Sequence, residues 1–332
     1  MLKLYYSIIS ALLFFGLFSS CSNDLDVNGN PKEVMIIYGL LNANDSEHYV
    51  RLNKAFLSGD ESAFTVAKIS DSIYYDSVEV TIEEFDGHFM RSSFKLQKKF
   101  TAKDSGIFAT EGSHVYYFKA PLNINYRYKL IVFNKRTQKI AIAETRLVGF
   151  PKPIVPNPAT TDFILDTARP VRMQYVTPQN AKMNDIIIRF YWDEYDSATG
   201  QLVAASKYID WPLLQSYVVQ PEVELKLFLK ITPFYYFLAD ALPVLPAKYR
   251  VPAKLDFIFW TADKEYKYYH DIIRPNTMVM QKKPEYTNIS DGNLGLFASR
   301  NQYIIKGVTI GNSTKKLLRD NQITRKLNFR LQ

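Results

Sequence analysis

In the stretch SVEVTIEEF, residues 77–85, Val78, Val80 and Ile82 fall on one face and Glu79, Thr81 and Glu83 on the other. A period of two marks a strand with one face buried. Asp86-Gly87 follows at once, and glycine accepts the positive φ that a tight hairpin turn demands. Further candidate strands are VMIIYGLL (34–41), a short apolar run, HYVRLNKAF (48–56), which alternates, and YRYKLIVF (126–133) and KIAIAETRLV (139–148), with polar turns at 42–45 and 134–137. About seven short strands within roughly 115 residues predict an immunoglobulin-like β-sandwich over 34–149.

FPKPIVPNP, residues 150–158, places four prolines in nine positions. Proline fixes φ and lacks a ladder donor, so this segment is no central strand and is expected to be a stiff linker between domains. The second domain, 159–332, again reads as mainly β. Its candidate strands are 186–195, 201–209, 254–260, 303–310 and the closing ITRKLNFRL, 323–331. Two short helices are expected among them. In ITPFYYFLADAL (231–242) Thr232 can cap and Pro233 suits the first helical position. In TADKEYKYYHDII (261–273) Thr261 can cap, Asp263 and Glu265 favour the amino end, and Tyr266, Tyr269 and Ile273 share a face.

The first residues bear on location. Lys3 precedes an apolar run, LYYSIISALLFFGLF (4–18), then Ser19-Ser20 and the only cysteine, Cys21. Charge, apolar run and small residues make a cleaved secretory signal, 1–20. The run is shorter than the roughly 20 residues a membrane-spanning helix needs. A cysteine directly after the small residues matches a bacterial lipobox, with Phe18 where leucine is commoner. Cys21 is therefore expected to carry a diacylglycerol and acyl chains and to fasten the chain to a membrane without spanning it. Residues 21–33 read as the lipidated, flexible tether, and Asp24 and Asp26 resemble an acidic signal for export to the outer face of an outer membrane.

With Cys21 lipidated no thiol is left for disulfides, so the body must be held by apolar cores. The composition supplies them: 47% of residues are hydrophobic, with 23 Tyr and 22 Phe. The net charge is +8, concentrated near the end in Lys306, Lys315, Lys316, Arg319, Arg325, Lys326 and Arg330. This reads as a solvated strand face, and an exported protein has no call for a nucleic-acid partner.

The lipobox, the opening IIYGLLNANDSEHYVRLNKAF, the FYYFLADAL helix, ADKEYKYYHD and YTNISDGNLGLFASR together resemble the two-part β-rich surface lipoproteins of Bacteroidota, a family with a domain of unknown function. The resemblance covers nearly the whole chain after Cys21. It implies a place on the outer membrane beside TonB-dependent receptors, and it carries no catalytic residues.

Chemistry-bearing motifs are sparse. HExxH, GxSxG, a P-loop and CxxC are all missing from the sequence, and His48, His88, His114 and His270 lack metal-site spacing. His48 and His88 adjoin turns, where an exposed imidazole is expected. Asp193, Glu194 and Asp196 could offer oxygen ligands to Ca²⁺, or could simply solvate a hairpin end. Asn288, Asp291 and Asn293 beside Gly292 and Gly295 are a second such loop, or a turn. Trp192, Trp211 and Trp260 could form a sugar-stacking platform. Trp192 shares the face of Ile186, Ile188 and Phe190 and reads as core, which leaves Trp211 at a strand end as the candidate for exposure.

The sequence thus points to a non-enzymatic surface lipoprotein without cofactors, acting as an accessory or binding component of a membrane receptor system. The alternatives are a glycan-binding lipoprotein of the starch-utilisation type and a fimbrial subunit that pairs by a donated strand. An enzyme is least supported. A glycosidase would need two carboxylates about 5–10 Å apart in a cleft.

Overall fold

The computed structural model describes residues 34–55, 74–101, 113–160, 162–273 and 286–331. The leader, Cys21 and the tether with Asp24 and Asp26 lie outside the described residues. No helix among the described residues is long and apolar enough to cross a membrane.

The fold is mainly β. The first half carries β1 (Val34–Leu41), β2 (Glu47–Ala55), β3 (Val78–Asp86), β4 (Phe89–Lys95), β5 (Gln97–Thr101), β6 (Ser113–Lys119), β7 (Arg127–Asn134) and β8 (Lys139–Arg146). The second carries β9 (Lys152–Val155), β10 (Val171–Val176), β11 (Met183–Asp196), β12 (Leu202–Val218), β13 (Glu224–Leu229), β14 (Lys248–Ala262) and β15 (Leu294–Thr309). Three helices accompany them: α1 (Thr232–Ala241), α2 (Lys264–Ile273) and α3 (Asn312–Asp320).

One eight-stranded sheet runs through both halves in the order β12-β11-β14-β15-β1-β2-β6-β5. Two smaller sheets, β4-β3-β7-β8 and β13-β10-β9, accompany it. The four-stranded sheet and the β1 end of the long sheet enclose a core of Ile37, Leu52, Ile82, Leu130, Val132, Phe118 and Phe297. The arrangement is sandwich-like, but it is not built from 34–149 alone, since β15 pairs with β1 and supplies Phe297. The second core gathers Met173, Ile188, Phe190, Trp211, Phe234, Leu238, Phe257, Ile305, Leu318 and Phe329 from both sheets, α1, α3 and the closing segment. Strand β15 serves both cores. Its Phe297 and Ile305 are separated by an even number of residues and so lie on one face of the strand.

The halves meet where β1 pairs in parallel with β15, Ile37 opposite Gly295. Gly295 has φ +116, and a Cβ there would stand 1.9 Å from the Ile37 carbonyl oxygen. Only glycine fits so close an approach. The proline-rich segment contributes β9, which pairs with β10 at the border of its small sheet, a position that tolerates proline. Just before it, Val148 N donates to Ser299 Oγ (2.9 Å), and Asn301 Nδ2 donates to the Val148 and Gly149 carbonyls (3.3 and 2.8 Å). The chain is stitched to β15 between the two cores.

The long strands carry a repeated device. Ser206, Ser216 and Gly307 have φ of 52, 52 and 74. Each backbone N–H is taken by an aspartate of the neighbouring strand: Asp193 (2.7 Å), Asp185 (2.6 Å) and Asp256 (2.7 Å). All three sit where the pairing register slips. These are β-bulges whose extra residue is held by a carboxylate, and each one bends and twists its strand.

Three expectations need correction. Thr232 does not cap α1. Ile231 occupies the cap position without a side-chain bond, and the proline stands in the first turn. Thr261 does not cap α2 either, because β14 runs on to Ala262 and keeps Thr261 buried. Asp263 takes the role, accepting the Tyr266 N–H at 2.9 Å. The closing segment 323–331 is no strand. After α3, a helix the sequence reading lacked, it forms a 3-10 turn at Arg325–Leu327, and Asn328 at φ 55 reverses the chain. Leu327 and Phe329 are buried in the second core. The basic side chains Lys306, Lys316, Arg319, Arg325, Lys326 and Arg330 are exposed, spread over β15, α3 and this turn.

A basic cleft as candidate functional site

The side chains of β8 alternate, so Thr145 turns inward while Glu144 and Arg146 turn outward. Counting back from the hairpin turn, Asn134 faces Lys139, and Arg127 therefore faces Arg146 directly across the ladder. From the second half come Asn180, Lys182 and Pro221, together with Asp263 and the first residues of α2, Lys264 and Glu265. These groups line a cleft of about 390 Å³ between the halves, within the range that holds small molecules.

Asp263 forms its floor. One carboxylate oxygen accepts Thr145 Oγ1 at 2.6 Å and Ser299 N at 3.0 Å, and the other accepts Tyr266 N. The residue thereby ties β8, β15 and α2 together. Burial pushes its carboxyl up to about 6 despite the three donors, and the nearby Glu265 acts in the same direction. Each donor bond favours the anion, but removal from water outweighs them.

The two other carboxylates are engaged. Glu144 pairs with Arg127, whose guanidinium also lies 4.6 Å over the Phe85 ring. Glu265 accepts the Tyr286 hydroxyl and lies 3.5 Å from Lys264. Burial, and then Glu265, raise the Tyr286 phenol well above its ordinary range. Lys182 Nζ donates to Gln220 at 3.0 Å. The Arg146 guanidinium has no partner among the described residues. The cleft is thus lined by four cations, one of them without a partner among the described residues, beside the amino end of α2.

The residues singled out from sequence are distributed differently. Trp211 is buried at 8% exposure, opposite Ile188 and against Phe234, so its expected exposure is overturned. Strand alternation puts Trp211 on the inner face with Ile209 and Leu213, against the second core. Trp192 is core, and Trp260 stacks under Arg300 at 4.1 Å. Asp193, Glu194 and Asp196 do not converge. Asp193 holds the Ser206 bulge, while Glu194 points to the buried face, 3.2 Å from Trp192 Nε1 and 3.8 Å from Arg250 Nε. Asp196 closes its turn on the N–H groups of Ala198 and Thr199. No group of three metal-ligating side chains occurs among the described residues.

Asn293 and Asn288 are structural. Asn293 accepts Met35 N, and Asn288 bonds both backbone groups of Phe297, while Asp291 accepts the Ser290 hydroxyl. His48 is buried, contrary to expectation, with Nε2 3.0 Å from the Ala120 carbonyl; burial lowers its pKa. His88 is exposed. His114 lies between the Tyr74 and Phe100 rings, and His270 Nε2 is 3.4 Å from Ser216 Oγ.

Sequence reading missed Arg127 and Arg146, although the register of their hairpin was there to be counted. It could not have found Lys182 and Lys264 beside them, because only the meeting of the halves brings these together.

On the open face of the long sheet, Tyr49 (42% exposed) and Tyr117 are tilted neighbours with centroids 6.3 Å apart at 32°. Lys99 Nζ stands 5.6 and 5.2 Å from the two ring centres.

No family model and no curated protein matches the chain. Among solved structures, trypsin-activated α-2-macroglobulin from Escherichia coli is similar over 82% of this chain and 15% of its own, at 9% identity and a TM-score of 0.18. The C-terminal globular domain of an oligosaccharyltransferase from Pyrococcus abyssi is similar over 84% and 50%, at 7% identity and a TM-score of 0.17. This chain therefore spans half or less of either, and likeness of that degree carries no argument about function.

Proposed function

We propose that the chain is a lipid-anchored surface protein of an outer membrane, a non-enzymatic binding component that accompanies a membrane receptor of the TonB-dependent kind. The observation that carries this reading is Cys21, placed directly after an apolar run and a pair of small residues. The thirteen positions from Cys21 to Val34 can span at most roughly 45 Å, so an acylated cysteine would keep the body close to the bilayer. The anchor would pull on β1, an interior strand of the eight-stranded sheet. The cleft suits recognition, with two of its four cations, Arg127 and Arg146, set side by side by strand register.

Mass spectrometry of the mature amino terminus tests the anchor. A thioether-linked diacylglycerol on Cys21 is expected, and Cys21→Ser should move the protein out of the membrane fraction. Solubilisation in mild detergent should bring a receptor along. An unmodified Cys21 thiol in the mature protein would overturn the reading.

The Tyr49–Tyr117 pair favours glycan binding as a second reading, because sugar rings stack on exposed aromatic faces. A glycan array should then give signals that the Tyr49→Ala, Tyr117→Ala double variant loses.

A further inference from the structure

Two like charges directly opposite one another on a strand pair are unfavourable, and Arg127 and Arg146 stand in that relation on β7 and β8. Arg127 is relieved by Glu144 and by the Phe85 ring. Arg146 is relieved by no carboxylate among the described residues, although it is next to Thr145, which fixes the backbone of β8 to the Asp263 floor. Lys182 and Lys264 bring the lining to four cations. Against them stand Glu144 and Glu265, both engaged within the cleft wall, and Asp263, whose oxygens are turned to Thr145, Ser299 and Tyr266. A concave site with such a surplus concentrates anions.

We propose that this cleft binds a small organic oxyanion, a carboxylate or a phosphate ester, with the Arg146 guanidinium as its principal hydrogen-bonding partner. A guanidinium offers two parallel N–H donors that match either group. Lys182, whose amine donates to the neutral Gln220 side chain, adds a second positive charge from the second half. Lys264 supplies a third at the mouth, where its side chain is 65% exposed. The ligand neutralises the uncompensated member of the arginine pair, and the volume of about 390 Å³ limits it to a small molecule. This inference gives a ligand class to the binding component proposed above and does not depend on the anchor or on a receptor.

The test is calorimetric titration of the full-length protein in mild detergent with glucuronate, glucose 6-phosphate and neutral glucose. Saturable binding of either anion but not of glucose is expected, and which anion binds tells the carboxylate source from the phosphate source. Arg146→Gln should weaken binding about tenfold or more, Arg146→Lys by less, and Lys182→Gln to an intermediate extent. Lys306→Gln, distant in sequence and exposed, should leave it unchanged. Circular dichroism melts establish that each variant is folded. Absence of saturable binding by both anions overturns the proposal, as does binding that survives Arg146→Gln and Lys182→Gln together. An unmodified Cys21 thiol in the mature protein, which overturns the anchor, would leave this result untouched.

Discussion

The two cores and the seam between them are built on opposite terms. The cores are apolar, and any set of side chains with the right volume and alternation would fill them. At the seam, Asp263, Ser299, Asn301 and Gly295 each meet specific backbone groups. Stability of the cores is therefore tolerant of chemistry, and stability of the seam is tolerant of almost none.

The largest effect is expected at Gly295. Gly295→Ala places a methyl group on the Ile37 carbonyl and forces an alanine to φ +116. It should cost about 4 kcal/mol or more, read from urea unfolding, and a cost below about 1 kcal/mol would end the contrast. Next is a matched pair of near-isosteric changes. Asn301→Asp sets an oxygen against the carbonyls that Nδ2 now serves and should cost about 3 kcal/mol. Leu255→Met, in the second core, should cost less than about 1.5 kcal/mol. Equal costs would show that the seam is no more demanding than the core.

A pH-dependent effect, at most as large as that of Asn301→Asp, sharpens the comparison further. The Asp263 carboxyl is raised from 3.8 to about 6 in the folded protein, so the folded state holds the proton more tightly than the unfolded one. Its contribution to stability is greatest below about pH 4 and falls by up to about 3 kcal/mol as the pH rises through 6. Unfolding free energies measured across that window should show this slope in the wild type, and Asp263→Asn should lack it. Superimposable profiles would mean that the seam carries no titrating group.

The same division explains what could be read from sequence. The strands of the first half were legible because 78–83 alternate and because 34–41 and 126–133 are short apolar-rich runs bounded by polar turns. The true length of β12 and β15 was not, since a bulge shifts the alternation by one, and only 201–209 and 303–310 read as strands. Ending the strand at 209 also hid the burial of Trp211. The closing segment alternates like a strand, but Asn328 turns the chain, and Phe329 meets the second core from a loop. Asp263 looked like a helix-end charge. Its three donors come from β8, β15 and α2, and no local pattern announces such a meeting. Of the cleft, the arginine pair was countable from its hairpin and the lysines opposite were not.

The bulges at Ser206 and Ser216 have a consequence for the outermost strand of the long sheet. β12 has 17 residues, and among the described residues no strand pairs with its outer side, which leaves enough backbone to template a strand of another copy. Two kinks and the missing N–H of Pro212 divide its free peptide groups into short runs that a straight foreign strand cannot match. The aspartates that hold those kinks thereby protect the protein against self-association along this border.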